Sequence, residues 1–145
     1  MEFIKLFIFS FSATIGFSVL FKTPRDSLLK TGIIGALAWI INIFITNVFA
    51  SPVLGMFCGA LTVGIIGEVL AIYSKKPATV FIIPGIITLV PGAGMYYTIL
   101  ALIKKSFYEA MKIGTETIFI AAAIAIGLII SSTLSRSIKR VKNKE

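Results

Sequence analysis

The chain has 145 residues, of which 57% are hydrophobic and only 14% charged, and its mean hydropathy is +1.00. A soluble domain of this size carries nearer a quarter charged residues and does not hold several apolar runs of membrane-spanning length, so composition alone places the chain in a bilayer. The formal charge of +8 does not signal nucleic acid, because the basic residues lie between and after the apolar runs, as topology signals do.

Residues 3–21 form the first predicted span, with Lys5 as the only charge. Its apolar core is long for a signal peptide and no small-x-small pattern precedes Lys22, so a retained helix is expected. The basic loop KTPRDSLLK (22–30) follows, with Pro24 as breaker. The second span covers about 31–48, where Asn42 reads as an interhelical hydrogen-bonding group. An uncharged turn through Pro52 leads into the third span, 53–73. There Gly55, Gly59, Gly64 and Gly67 give a small-residue face, and Glu68 is the one acid deep in an apolar run. The small-residue faces of the third and fifth spans are candidate docking surfaces.

The fourth span, 78–103, contains the stretch TVFIIPGIITLVPGAGMYYT (79–98). Proline removes a backbone donor and its ring clashes with the carbonyl four residues back. Two Pro-Gly pairs seven residues apart, Pro84-Gly85 and Pro91-Gly92, with Gly94 beyond, therefore argue against one straight helix. Non-helical backbone at membrane depth survives only inside protein or beside a wet cavity, and interrupted spans of this kind build substrate sites in transporters. Residues 104–117 are read as an interfacial loop or amphipathic turn, 118–134 as the fifth span, and 135–145 as a frayed basic tail.

With five spans, the 22–30 loop, Lys75-Lys76 and the tail share one side and hold ten of the fourteen basic residues. This predicts the amino terminus outside and the carboxyl terminus in the cytoplasm of a plasma-membrane protein. The expected fold is all-α and polytopic, with the fourth helix interrupted. An odd number of spans with a broken fourth looks like half of a transporter whose second half lies on another chain.

The expected substrate-binding residues are Pro84, Gly85, Pro91, Gly92, Gly94 and Tyr97, a site made partly of backbone. The amides around Gly92–Gly94 would start a new half-helix whose positive end suits a carboxylate substrate. Tyr96 and Tyr97 compete for this role with interfacial anchoring. Glu68 is the expected coupling group, protonating and deprotonating on alternate faces, and it could equally snorkel or pair with Lys75 or Lys76. The bland alternative for the Pro-Gly pairs is a packing kink. Catalytic residues, metal and cofactor are not expected: there is no His, Cys58 is alone, and no Ser-His, Asp-pair or metal-ligand spacing occurs in the spans.

The basic loop Lys22-Thr23-Pro24-Arg25, the Gly-rich third span, Pro77 and IPGIITLVPGAGMYYTI (83–99) together resemble the threonine/serine exporter family. The likeness is to the small, separately encoded subunit corresponding to the carboxy-terminal membrane half of the fused exporters. It implies a larger membrane partner of the same family and a cargo of small amino acids or a dicarboxylate such as succinate. A homo-oligomer and a purely structural or assembly subunit stay open as alternatives.

Overall fold

The computed structural model describes the backbone of residues 2–142 and the side chains of residues 3–135. Among the described residues six helices follow one another: α1 (Glu2–Leu20), α2 (Arg25–Phe49), α3 (Pro52–Ser74), α4 (Thr79–Gly85), α5 (Gly92–Ile103) and α6 (Phe107–Lys142), with a 3-10 turn at Ile87–Leu89 between α4 and α5. Phe3–Leu20, Arg25–Phe49, Pro52–Ser74 and Phe107–Ser135 are each long and apolar enough to cross a bilayer. Residues Thr79–Leu89 and Gly92–Ile103 pass the same test only as a pair, bent by 48°. The expected all-helical membrane fold with an interrupted fourth segment is therefore what the chain forms.

The helix ends are written in local chemistry. Ser51 caps α3 by accepting from the Leu54 amide at 3.4 Å, and Pro52 takes the first helical position, where no donor is needed. Three helices end on a left-handed lysine: Lys22 (φ 55), Lys75 (φ 53) and Lys105 (φ 59). Each is followed by the same reverse bonding, seen as Lys76 N to Ala71 O at 3.1 Å and Lys75 N to Ile72 O at 3.3 Å. A side chain in this conformation costs about 1 kcal/mol, which a glycine would avoid. The lysines place positive charge against the negative ends of their helices instead.

Small residues set the helix spacing. A β-carbon on Gly32 would meet Phe11 of α1 at 2.7 Å, and one on Gly59 would meet the Ala38 carbonyl of α2 at 3.0 Å. Gly64 lies against Ser131 and Gly127 against the Phe57 carbonyl, so α3 and α6 also touch backbone to backbone. The glycine faces of the third and fifth spans thus dock on each other and on α2 and α4 of the same chain. Ala121, Ala122 and Ala125 of α6 stay exposed, so part of the small-residue face of the fifth span is left uncovered by this chain. Asn42 is buried but accepts from Thr46 of its own helix at 3.4 Å, rather than bonding across helices. On α1, Ser10, Thr14 and Ser18 form a buried polar row one turn apart, and Ser18 meets Thr31 of α2 at 2.9 Å between hydroxyls.

The core gathers Ile34 and Ala38 of α2, Ala60, Val63 and Ala71 of α3, Phe81 of α4, Leu89 and Ile124 of α6. The first half of the interrupted segment is enclosed by α1, α2 and α3, whereas α5 packs chiefly on α6. Residues 107–117, expected as loop or amphipathic turn, are instead the first three turns of α6, and only the short turn at Lys104–Ser106 separates α5 from it. The helix backbone also runs on through the expected tail as far as Lys142, and residues 143–145 lie outside the described part.

Candidate functional site

The break is built from two donor-less residues. Pro84 cannot donate to the carbonyl of Val80, and α4 ends one residue later. The chain then tightens, with Leu89 N to Ile86 O at 2.8 Å and Val90 N to Ile87 O at 3.3 Å. At Pro91 (φ −78, ψ 53) the Gly92 amide turns back onto the Val90 carbonyl at 2.7 Å, which is an inverse γ-turn. α5 begins there, and its first bond inside the new helix runs from Met95 N to Pro91 O at 3.2 Å. The amides of Ala93 and Gly94 precede that bond and carry the positive end of the α5 dipole.

This backbone faces a cavity of about 350 Å³. One wall is Val90–Gly94. The others come from Trp39 of α2, Met56 of α3, Thr88 in the break, and Ile113, Glu116, Thr117 and Ile120 of α6. Thr88 Oγ1 donates to the Gly35 carbonyl at 3.4 Å, and Thr117 Oγ1 to the Ile113 carbonyl at 2.7 Å. Met56 is one turn into α3, so the cavity lies toward the end of the bundle opposite the Lys22–Lys30 and Lys75-Lys76 loops.

The predicted residues separate into groups. Pro91, Gly92 and Gly94 line this cavity together. Gly92 is open: a β-carbon there would have nothing within 4 Å. Gly94 is not, because the same atom would overlap the Thr117 hydroxyl of α6. Pro84 and Gly85 are buried in the core, and a β-carbon on Gly85 would press on Ile34 at 3.0 Å and Val63 at 3.2 Å. Tyr97 is 54% exposed, packs edge-on against Tyr96 with ring centroids 5.4 Å apart, and stands outside the cavity lining.

Glu68 is elsewhere. It lies twelve residues beyond Met56 on α3, about 18 Å along the axis. Its side chain is buried, and Oε2 accepts from the Ser135 hydroxyl of α6 at 3.0 Å. With Ser131, Ile65, Val69, Ile72 and Leu134 it borders a second cavity of about 260 Å³. Lys76, offered as a partner for it, instead pairs with the Asp26 carboxylate and donates to Ser27 at 3.2 Å. Among the described residues no cluster of His, Cys, Asp or Glu could hold a metal ion.

Sequence reasoning missed Trp39, Thr88, Glu116 and Thr117. Only Glu116 carried a legible signal, as a carboxylate two residues before an apolar run. Its segment read as a loop, which hid the fact that helical register carries it to the break.

No curated protein and no solved structure matches the chain. A family model described as "Threonine/Serine exporter, ThrE" matches residues 6–134, nearly the whole length and every helix that builds the cavity. The chain is a multi-pass membrane protein of the threonine/serine exporter family.

Proposed function

We propose that this chain is one half of a secondary exporter for small amino acids of the threonine or serine kind, or for a dicarboxylate such as succinate, acting with a larger membrane subunit of the same family. The observation that carries the site is Gly92: bare backbone at the start of a half-helix, facing a cavity to which α2, α3 and α6 all contribute. The cargo carboxylate sits against the free amides of Ala93 and Gly94. The end bearing Lys22, Arg25, Lys30, Lys75 and Lys76 faces the cytoplasm, so the cavity lies in the outer half of the bilayer. Glu68, buried within the span, is the coupling group.

A scaffolding role is the second reading. It is favoured by the outer face of α5, where Tyr96, Ile99 and Ile103 are exposed for a larger subunit to cover. Gly92→Val separates the two. Gly92 does not have a positive φ and its surroundings are open, so valine fits the fold, at no more than about 1 kcal/mol, while adding a branched side chain to the cavity lining. Transport should be lost with the partner still co-purifying. Normal transport by this variant would remove the site from the Pro91 break, and loss of the partner would favour scaffolding.

A further inference from the structure

Pro84 and Gly85, the first Pro-Gly pair, have no part in the cavity at the Pro91 break. Pro84 is fully buried, yet it borders a separate cavity of about 300 Å³ with Lys22, Thr23, Thr79, Val80 and Ile83, at the end of the bundle that carries the basic loops. The Val80 carbonyl, which Pro84 cannot serve, therefore belongs to a residue of this cavity's wall. Among the described residues no hydrogen bond or ion pair engages the Lys22 ammonium, and Asp26, the one acid of the 22–30 loop, pairs with Lys76. The cavity thus has a fixed positive charge to offer a carboxylate.

A seam of buried hydroxyls runs from here to the cavity at the Pro91 break. Ser18 of α1, one turn before Lys22, meets Thr31 of α2 at 2.9 Å. Thr14, one turn further, fills the space that Gly35 leaves, where a β-carbon would overlap its hydroxyl. The Gly35 carbonyl accepts from Thr88 at 3.4 Å, and Thr88 borders the break cavity. Thr14, Ser18 and Thr31 have no exposed surface. The seam is nevertheless loosely tied. A hydroxyl has one proton, and Ser18 and Thr31 also donate theirs to the Thr14 and Leu28 carbonyls, each at 2.7 Å, so their mutual contact is at most a shared bond. Hydroxyls in membrane helices do bind helices together, but weakly, and here only this one pair joins α1 to α2. α1 is also the least buried of the four long helices.

We propose that the cavity between Lys22 and Pro84 is the cytoplasmic port for the cargo, and that α1 parts from α2 along Thr14, Ser18 and Thr31 to join it to the cavity at the Pro91 break. This rests on the site reading and the orientation above. The structure is then the state with the port closed, and each Pro-Gly pair serves one end of the route. Once parted, the hydroxyls rotate from their own helices to meet a polar solute, so the path opens without stranding a buried donor.

The experiment ties the seam shut. In a Cys58→Ala parent, Ser18→Cys with Thr31→Cys sets two thiols where the oxygens stand 2.9 Å apart, and oxidation links α1 to α2. The full chain stays in its own membrane, and radiolabelled L-threonine is followed as transport into inverted vesicles and as binding to right-side-out ones. Oxidation of the pair lowers transport by about tenfold or more, reduction restores it, and binding from the outer face is unchanged throughout. Transport by the oxidised pair at the reduced rate overturns the proposal. If the parent itself binds no threonine from the outer face, the cavity at the break fails and the port with it. Ser18→Cys alone gives a readout that does not need the pair to be active. A thiol reagent too polar to cross the bilayer, added with threonine, labels it from the cytoplasmic face only, and labelling from the outer face or from neither overturns the port.

Discussion

At the scale of single residues, the two glycines after Pro91 have different jobs although they look alike in sequence. Gly92 borders empty space, and Gly94 lets α5 approach α6 at Thr117. A sequence shows that a side chain is missing but not what occupies the vacated space, so Gly94 and Gly92 were indistinguishable until α6 was in place. Gly94→Val should therefore act on stability as well as on cargo. Forcing a branched side chain against Thr117 costs about 1–3 kcal/mol, as overpacking does. Thermal unfolding in detergent should drop for Gly94→Val and recover in the double variant with Thr117→Ala. A variant that lost cargo binding with unchanged unfolding would return Gly94 to the cavity wall. Tyr97 shows the converse: a polar aromatic beside the motif suggested site lining, and helical register sets it exposed, next to Tyr96 and outside this cavity's lining.

At the scale of elements, the long helices were legible because each is an apolar run bounded by Pro or Lys. The broken fourth segment was legible because proline cannot donate, whatever surrounds it. The sequence could not show that its halves have different fates, α4 enclosed in the core and α5 bent 48° away onto α6. The amino-terminal turns of α6 were misread for a related reason. Residues 104–117 mix Lys, Glu and Thr with apolar residues, a pattern shared by a surface turn and a helix with one face on a neighbour. The neighbour here is α5: a β-carbon on Gly114 would meet Thr98 at 3.1 Å. With that hairpin missing from the reading, the wall of the cavity that bears Glu116 was missing too.

At the scale of the whole molecule, the helices carry the 22–30 loop and the Lys75-Lys76 turn to one end, where Lys76 pairs with Asp26 and Lys30 donates to Ser74 at 2.9 Å. Lys104 and Lys105 lie at the far end of α5, at the opposite side of the bundle. A reporter fused after Glu145 should read as cytoplasmic and one inserted at Asn47–Pro52 as external. Both reporters on one side would mean that the bent pair re-enters rather than crosses.

One consequence follows from α6 being a single rod. Its early turns hold Glu116 and Thr117 at the cavity beside the Pro91 break, and nineteen residues beyond Glu116 its Ser135 holds the Glu68 carboxylate. That is about 28 Å of continuous helix. If such an element moves as one body between two states, occupancy at one place biases the other, and thermodynamic linkage then requires the effect to be equal in both directions. Ser135→Ala, remote from the cargo, should therefore shift threonine affinity by about fivefold or more while leaving the cavity lining untouched. Equal affinities in the two proteins would mean the ends act independently. In the coupled case α6 is a driveshaft, able to be turned from either end.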